Sequence, residues 1–364
     1  MFISLLVICA VIFLKTARAQ SLPADTTQAL EIIRKKYDFP ALAVVVVKDG
    51  KICDRAAVGV RKLGDPTRVT IDDQFHIGSC TKSMTATLAA MFIEENKLRW
   101  DSTIAEVFPE LKDKMDAQYK TVTVEQLLTH CGGVPGEPPA DAWKRAWEQK
   151  GTPTQQRYEF IQAALAQPPV ATPGTKYIYS NQGYAIVGAM LEKIAGKSWE
   201  DLITEKLFKP LHMDSAGFGP PGAIGKIDQP WGHTRTSAPM QSDNPSAIAP
   251  AGRVHCSPGD LARYTIFQME GERNGGLLKA ETIRKLHTPP DGADYTCGWV
   301  CVKRGWAGGR ALMHNGSNTM WYAVMWLAPE KDFSVIVATN TGADNATKGC
   351  DDVVGAMIKK WLAN

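Results

Sequence analysis

The sequence predicts an α+β protein: one antiparallel sheet built from both ends of the chain and flanked by helices, with a mostly helical lobe inserted between. Three observations predict it. A helical stretch and two β-rich runs about a tight turn open the chain; three or four further β-rich runs and a helix close it; the long middle is helical and punctuated by Pro and Gly. With 364 residues, 44% of them hydrophobic and 22% charged, the chain is long enough to bury a sizeable core.

In order, Phe2 to Leu14 is a nearly unbroken apolar run followed by Ala17-Arg18-Ala19. That pattern predicts a signal peptide over residues 1–19, a secreted or periplasmic product, and no stable membrane span after its removal. Ala24 to Tyr37 has amphipathic helical spacing. Ala41 to Val47 and Lys51 to Val60 read as strands joined by the hairpin turn Asp49-Gly50. Thr123-Val124-Glu125-Gln126 is a capping box opening a short helix that Gly132-Gly133 closes. Gln182 to Ala195 is a helix stopped by Gly196, and Ser198 to Phe208 another. Arg253 to Pro258 reads as a turn before a helix from Gly259 to about Glu270. Thr296–Lys303, Arg310–His314, Met320–Ala328 and Phe333–Asn340 read as strands, and Ala346 to Leu362 as the last helix. The sheet lobe is expected at about residues 20–78 and 290–364, and the helical lobe at about 79–289, in a single domain.

Composition excludes several function classes. The formal charge is +3, and leaving out Lys15 and Arg18 makes it +1, with no basic block, so nucleic acid is not an expected partner. Seven of the eight cysteines follow the leader, an odd number scattered through a large domain, with no C-x-x-C pair. Cys53 and Cys350 can pair only if the second strand meets the last helix. The seven histidines show no metal-ligand spacing, so neither metal nor cofactor is expected. Gly196-Lys197-Ser198 imitates the end of a phosphate loop but lacks its earlier glycine, and reads as a helix C-cap followed by an N-cap.

The chemistry concentrates in Phe75-His76-Ile77-Gly78-Ser79-Cys80-Thr81-Lys82. A helix from Lys82 to about Glu95 places Ser79 at its amino-terminal end, where unpaired N–H groups favour an oxyanion, with Lys82 one turn on. With 14 Ser and 26 Lys, this spacing is expected about once by chance, so the rest of the chain has to carry the reading. Taken alone, such a serine is an N-cap and such a lysine is solvated. Tyr179-Ser180-Asn181 opens the Gln182 helix. It offers either an N-cap beside a core tyrosine, or a phenol that shuttles the serine proton, its pKa depressed by a nearby lysine, with an amide for substrate. His-x-Gly occurs at His76, His130 and His314; only His314-Asn315-Gly316 ends a predicted strand. An edge strand there would present the Ser317 N–H beside that of Ser79. The plain alternative for His314 is a satisfied strand-end histidine.

The order Ser-x-x-Lys, Tyr-x-Asn, His-x-Gly resembles the serine β-lactamase and penicillin-binding-protein superfamily, its class C β-lactamase-like branch of esterases and DD-peptidases. The resemblance covers about residues 25 to 362 and is carried also by Leu127-Leu128-Thr129-His130-Cys131-Gly132-Gly133-Val134-Pro135, Pro173-Gly174 and Ser257-Pro258-Gly259-Asp260-Leu261. It implies a β-lactamase/transpeptidase-like fold with Ser79 as acylated nucleophile, Lys82 as its activating partner and Tyr179 as proton shuttle. Asn181, His314, Gly316 and Ser317 would face substrate, Ser79 and Ser317 through oxyanion N–H groups. Two departures matter. His314 stands where class C β-lactamases carry a lysine, and Glu137 lies near where they place a glutamine. A mostly neutral histidine is a poor partner for a substrate carboxylate, and Lys303-Arg304-Gly305 is a weak substitute in a turn. The expected function is therefore an exported serine hydrolase acting on an ester or a neutral amide, most readily a carboxylesterase. Its alternatives are a β-lactamase, DD-carboxypeptidase or D-aminopeptidase, and a non-catalytic penicillin-binding-like sensor. The expected partner is a small-molecule or peptide-like ester or amide, with the oligomeric state left open.

Overall fold

The computed structural model describes residues 22–362, so the expected signal peptide lies outside the described residues. Helix α1 (Thr26–Tyr37) starts where the Asp25 carboxylate accepts the Gln28 N–H at 2.8 Å, and ends on three basic residues, Arg34 to Lys36, that complement its carboxyl-end dipole. β1 (Ala41–Lys48) and β2 (Lys51–Gly59) form a hairpin through Asp49 and Gly50, both left-handed, as a two-residue turn of this twist requires.

The other strands come from the far end of the chain: β3 (Val300–Arg304), β4 (Gly309–Ser317), β5 (Tyr322–Ala328) and β6 (Phe333–Thr339). The described residues form one six-stranded antiparallel sheet, ordered β2-β1-β6-β5-β4-β3. Leu42 pairs with Thr339 and Lys48 with Phe333, which joins the two ends of the sequence at the centre of the sheet.

Alternate residues of each strand face opposite sides, and both sides are covered. Leu42, Val44 and Val46 pack with Val335 and Val337 under α1 and the last helix, Ala346–Leu362. Ala43, Val45 and Val47 pack with Ile336 and Met325 against the helical side. A strand covered on both faces has no polar side to show, which is why β1 reads as a continuous apolar run.

On the helical side, α2 (Thr81–Glu94) is buried from Thr81 through Phe92. A helix enclosed all round is central rather than amphipathic, and α2 holds the site. Beside it run α3 (Asn181–Ala195), stopped by Gly196, and α4 (Pro258–Asn274). Ser198 caps the next helix, as expected. The capping box at Thr123 and Gln126 is present in both directions.

The segment expected as a turn, Arg253 to Pro258, contains a short strand, Val254–Cys256, paired with Phe75–His76. Three residues sufficed because the pairing is nonlocal and carries no periodic signal. The strand expected from Thr296 begins only at Val300, since Thr296 and Trp299 close a tight turn. The described cysteines are all free: Cys350 is buried in the last helix and Cys53 is exposed on β2. No helix among the described residues is long and apolar enough to cross a membrane.

Candidate active site

Ser79 sits in the single turn Gly78–Cys80 that runs directly into α2, and the Phe75–His76 pairing fixes the approach to it. Lys82, one turn along, is fully enclosed. Its Nζ lies 3.0 Å from Ser79 Oγ, 2.7 Å from Asn181 Oδ1 and 2.8 Å from the Ala251 carbonyl oxygen. Burial pushes the Lys82 pKa well below its ordinary value. A neutral amine has two N–H groups and one lone pair. Asn181 Oδ1 and Ala251 O only accept, so they take the two N–H groups and leave the lone pair facing the serine hydroxyl.

Tyr179 and Asn181 come from the start of α3, which Ser180 caps by accepting the Gly183 N–H. The Tyr179 hydroxyl donates to Ser79 Oγ at 2.7 Å. Its pKa is raised, not depressed: burial of the phenol disfavours a phenolate and outweighs the opposing hydrogen bond with Ser79. Tyr179 is therefore held as an acid. The order of protons runs from Tyr179 to Ser79 to Lys82.

The other wall is the end of β4. β3 pairs with β4 only from Gly309 to Met313, so His314 to Ser317 carry no neighbour from β3 and meet the Ser79 turn. The approach is close enough to demand glycine twice. A Cβ on Gly316 would stand 2.3 Å from Ser79 N, and one on Gly78, at φ 50°, would stand 2.3 Å from Ser317 N. The backbone N–H groups of Ser79 and Ser317 thus both belong to the close contact between the serine turn and the end of β4. Among the described residues, no hydrogen bond ends on the Ser79 N–H.

His314 does not make the expected substrate contact with its ring, which is 4% exposed. Its Nδ1 is 2.6 Å from Asn315 O, a carbonyl that only accepts, so Nδ1 carries the proton and Nε2 accepts from the Tyr295 hydroxyl at 3.1 Å. Burial lowers its pKa to about 3, so it stays neutral. Lys303 is no substitute: it pairs with Arg310, seven residues along β4 from Ser317, or about 24 Å at 3.4 Å per residue. Glu137 is exposed, and its backbone carbonyl accepts from Gln182 Nε2 at 3.1 Å; its carboxylate makes no ion pair among the described residues.

Sequence reasoning set aside the other two His-x-Gly histidines, and both border the site. The His130 carbonyl accepts the Ile178 N–H at 2.8 Å and its Nδ1 accepts the Ser180 N–H at 3.1 Å. Those two bonds bracket Tyr179, whose ring lies 4.5 Å from the imidazole. His76 Nδ1 accepts the Gly78 N–H at 3.1 Å, directly before the serine. Tyr177 and Tyr295 extend the aromatic wall. The Ala251 carbonyl has no side-chain signal, and its segment had no periodicity to place it.

A serine at the head of a buried helix, a lysine beneath it, a tyrosine from an inserted helical lobe and a glycine-lined strand edge are the arrangement of the serine β-lactamase and penicillin-binding-protein superfamily. The chain belongs to the beta-lactamase family, whose model matches residues 26–353. It is 26% identical over 340 residues to penicillin-binding protein 4 of Amycolatopsis lactamdurans, covering 88% of this chain and 85% of that protein. It is 22% identical over 339 residues to protein flp of Staphylococcus aureus, and spans 65% of that longer protein. Among solved structures, the octameric penicillin-binding protein homologue from Pyrococcus abyssi superposes with a TM-score of 0.75 at 24% identity, covering 92% of this chain and 78% of that one. The D-alanine carboxypeptidase AmpC from Burkholderia cenocepacia gives 0.72 at 22%, covering 91% and 97%. At these identities the two structures speak for the fold.

Proposed function

We propose that this protein is a serine hydrolase that works through an acyl-enzyme, with uncharged carboxylic esters as its preferred substrates. The observation that carries the reading is the placement of the enclosed Lys82 amine 3.0 Å from Ser79 Oγ, with acceptor-only partners on its other contacts. Lys82 takes the serine proton as Oγ bonds to the carbonyl carbon; the carbonyl oxygen, now negative, sits between the Ser79 and Ser317 N–H groups. The carbon–oxygen bond to the leaving alkoxide breaks, and the Tyr179 phenol protonates it, recovering a proton from Lys82. Water then adds to the acyl-enzyme with the same base, releasing the acid and restoring Ser79.

Preference for uncharged esters rests on His314. Where class C β-lactamases present a cation, this site keeps a buried, neutral imidazole engaged on both nitrogens. An exposed Glu137 on the loop that passes the Tyr179 carbonyl adds negative charge to that side. A β-lactam or a peptide ending in D-alanine brings a carboxylate that this neutral imidazole does not pair. The kinship with a penicillin-binding protein keeps that second reading as the comparison.

The test is steady-state hydrolysis of short p-nitrophenyl esters, nitrocefin and a D-alanyl-D-alanine peptide under one set of conditions. The reading expects the esters to be turned over at least about tenfold better in kcat/KM, the worth of one unpaired charge contact. Nitrocefin or the peptide leading the series would replace it with the β-lactamase or carboxypeptidase reading. Acylation of Ser79 with no turnover of any of the three would replace it with a sensor.

A further inference from the structure

Between the serine turn and the end of β4 lies a buried carboxylate that the chemistry above does not use. Asp243 is 5% exposed and belongs to the irregular stretch between the two lobes' elements. Its Oδ1 is 2.7 Å from His76 Nε2, accepts Asn318 Nδ2 at 3.1 Å and accepts the Asn244 N–H at 2.6 Å. Oδ2 lies 3.5 Å from Arg253 Nε. His76 is wholly buried, and its other nitrogen, Nδ1, accepts the Gly78 N–H. Asn318 directly follows Ser317, and its Oδ1 accepts the Met320 and Trp321 N–H groups that turn the chain into β5.

We propose that Asp243 is a positioning residue that sets the oxyanion site, by holding its two backbone halves in register through His76 on one side and Asn318 on the other. The proposal rests on the hydrolase reading above. The logic is one of proton placement. A backbone N–H only donates, so the Gly78 contact requires His76 Nδ1 to be the lone-pair nitrogen and Nε2 to carry the proton. A carboxylate cannot donate, so its negative charge 2.7 Å from Nε2 favours the tautomer with the proton there, as an electrostatic contact and not an aligned hydrogen bond. The same carboxylate oxygen fixes Asn318 with its amide nitrogen inward, which leaves Oδ1 to cap the turn after Ser317. One oxygen atom thereby faces both His76, three residues before Ser79, and Asn318, the residue after Ser317. An oxyanion site misplaced by about 1 Å loses about 10²-fold in rate.

The test is built on side-chain isosteres at His76. His76→Asn places an amide oxygen where Nδ1 was and keeps the acceptor for Gly78, while His76→Gln keeps a donor toward Asp243 and loses that acceptor. Ester kinetics, fluorophosphonate labelling rates and thermal melting are measured for each. The expected result is a fall in kcat of about tenfold or more in both variants, because His76→Gln breaks the link at Gly78 and His76→Asn breaks it at Asp243, with KM within about threefold of wild type. Wild-type kcat in either variant overturns the proposal. Should neither His76 variant melt cooperatively, Asn318→Asp decides: it keeps the Oδ1 acceptor for the turn but sets a carboxylate against Asp243, and unchanged kcat there overturns the proposal. Wild type that is not labelled at Ser79 brings down the hydrolase reading and this proposal together, whereas labelled wild type with unaffected variants brings down this proposal alone.

Discussion

Lys82 Nζ stands 3.0 Å from Ser79 Oγ inside a fully enclosed pocket, and its other two polar contacts are oxygens that cannot donate. Burial favours the uncharged amine, and the geometry then aims its lone pair at the serine. Lys82→Met is expected to lower the rate of fluorophosphonate labelling by about 10²-fold or more. Lys82→Arg should do no better, because a guanidinium keeps its proton in a protein interior. Labelling of Lys82→Arg at the wild-type rate would show that charge rather than basicity matters at this position.

The pH dependence follows from two opposite displacements. Lys82 is lowered and Tyr179 is raised, so base and acid are both in their working forms over a wide interval. Ester hydrolysis should fall on the acid side as Lys82 gains its proton, and should show no loss from Tyr179 ionisation up to about pH 10. Tyr179→Phe removes the donor to Ser79 Oγ and is expected to lower the plateau by about 10²-fold without moving the acid limb. A shift of that limb in Tyr179→Phe would reassign it.

His314 makes a prediction about stability. Its folded pKa of about 3 lies below the ordinary histidine value of 6.5. Between those values the unfolded chain binds a proton that the folded chain does not, so stability falls as the pH drops through that window and levels off below about 3. His130, His233, His255 and His287 are lowered as well, so they share the slope. His314→Asn keeps a donor for the Asn315 carbonyl and should lose less stability than wild type between pH 6.5 and 4, read by urea unfolding. Parallel profiles for the two proteins would show that His314 contributes nothing to the slope.

Gly316→Ala tests the backbone contact. The new Cβ would sit 2.1 Å from the Ile77 carbonyl oxygen and 2.3 Å from Ser79 N, both backbone atoms that cannot swing away. β4 has to retreat from the serine turn, which separates the Ser79 and Ser317 N–H groups. The expected outcome is a fall in kcat of about 10² to 10³-fold, comparable to losing one oxyanion donor, with folded protein retained because the sheet beyond Met313 is untouched. Full activity in Gly316→Ala would show that the strand edge does not contribute.

The sheet was legible because its signals are local: a Val-rich run, an Asp-Gly hairpin and a terminal helix each mark themselves within a short stretch. The meeting of Ser79, Lys82, Tyr179 and Asn181 was legible through the order of the motifs and the family they resemble, because the Ser-x-x-Lys spacing alone is expected about once by chance. What stayed hidden depends on burial and on irregular chain. The pKa of Tyr179 was expected to fall beside a lysine, but burial raises it and lowers that of Lys82. His314 looked like a substrate contact by position and is a satisfied strand-end histidine by environment. His76 and His130 differ from it only in what surrounds them, and Asp243 lies on a stretch with no periodicity to place it.

The central claim is that Ser79 is the nucleophile of a covalent intermediate. Intact-protein mass spectrometry after treatment with a fluorophosphonate, followed by peptide mapping, tests it most directly. The account predicts a single adduct per chain in the wild type, carried on Ser79, and no adduct in Ser79→Ala. An adduct that persists in Ser79→Ala, or a wild-type protein that takes up none, would contradict it.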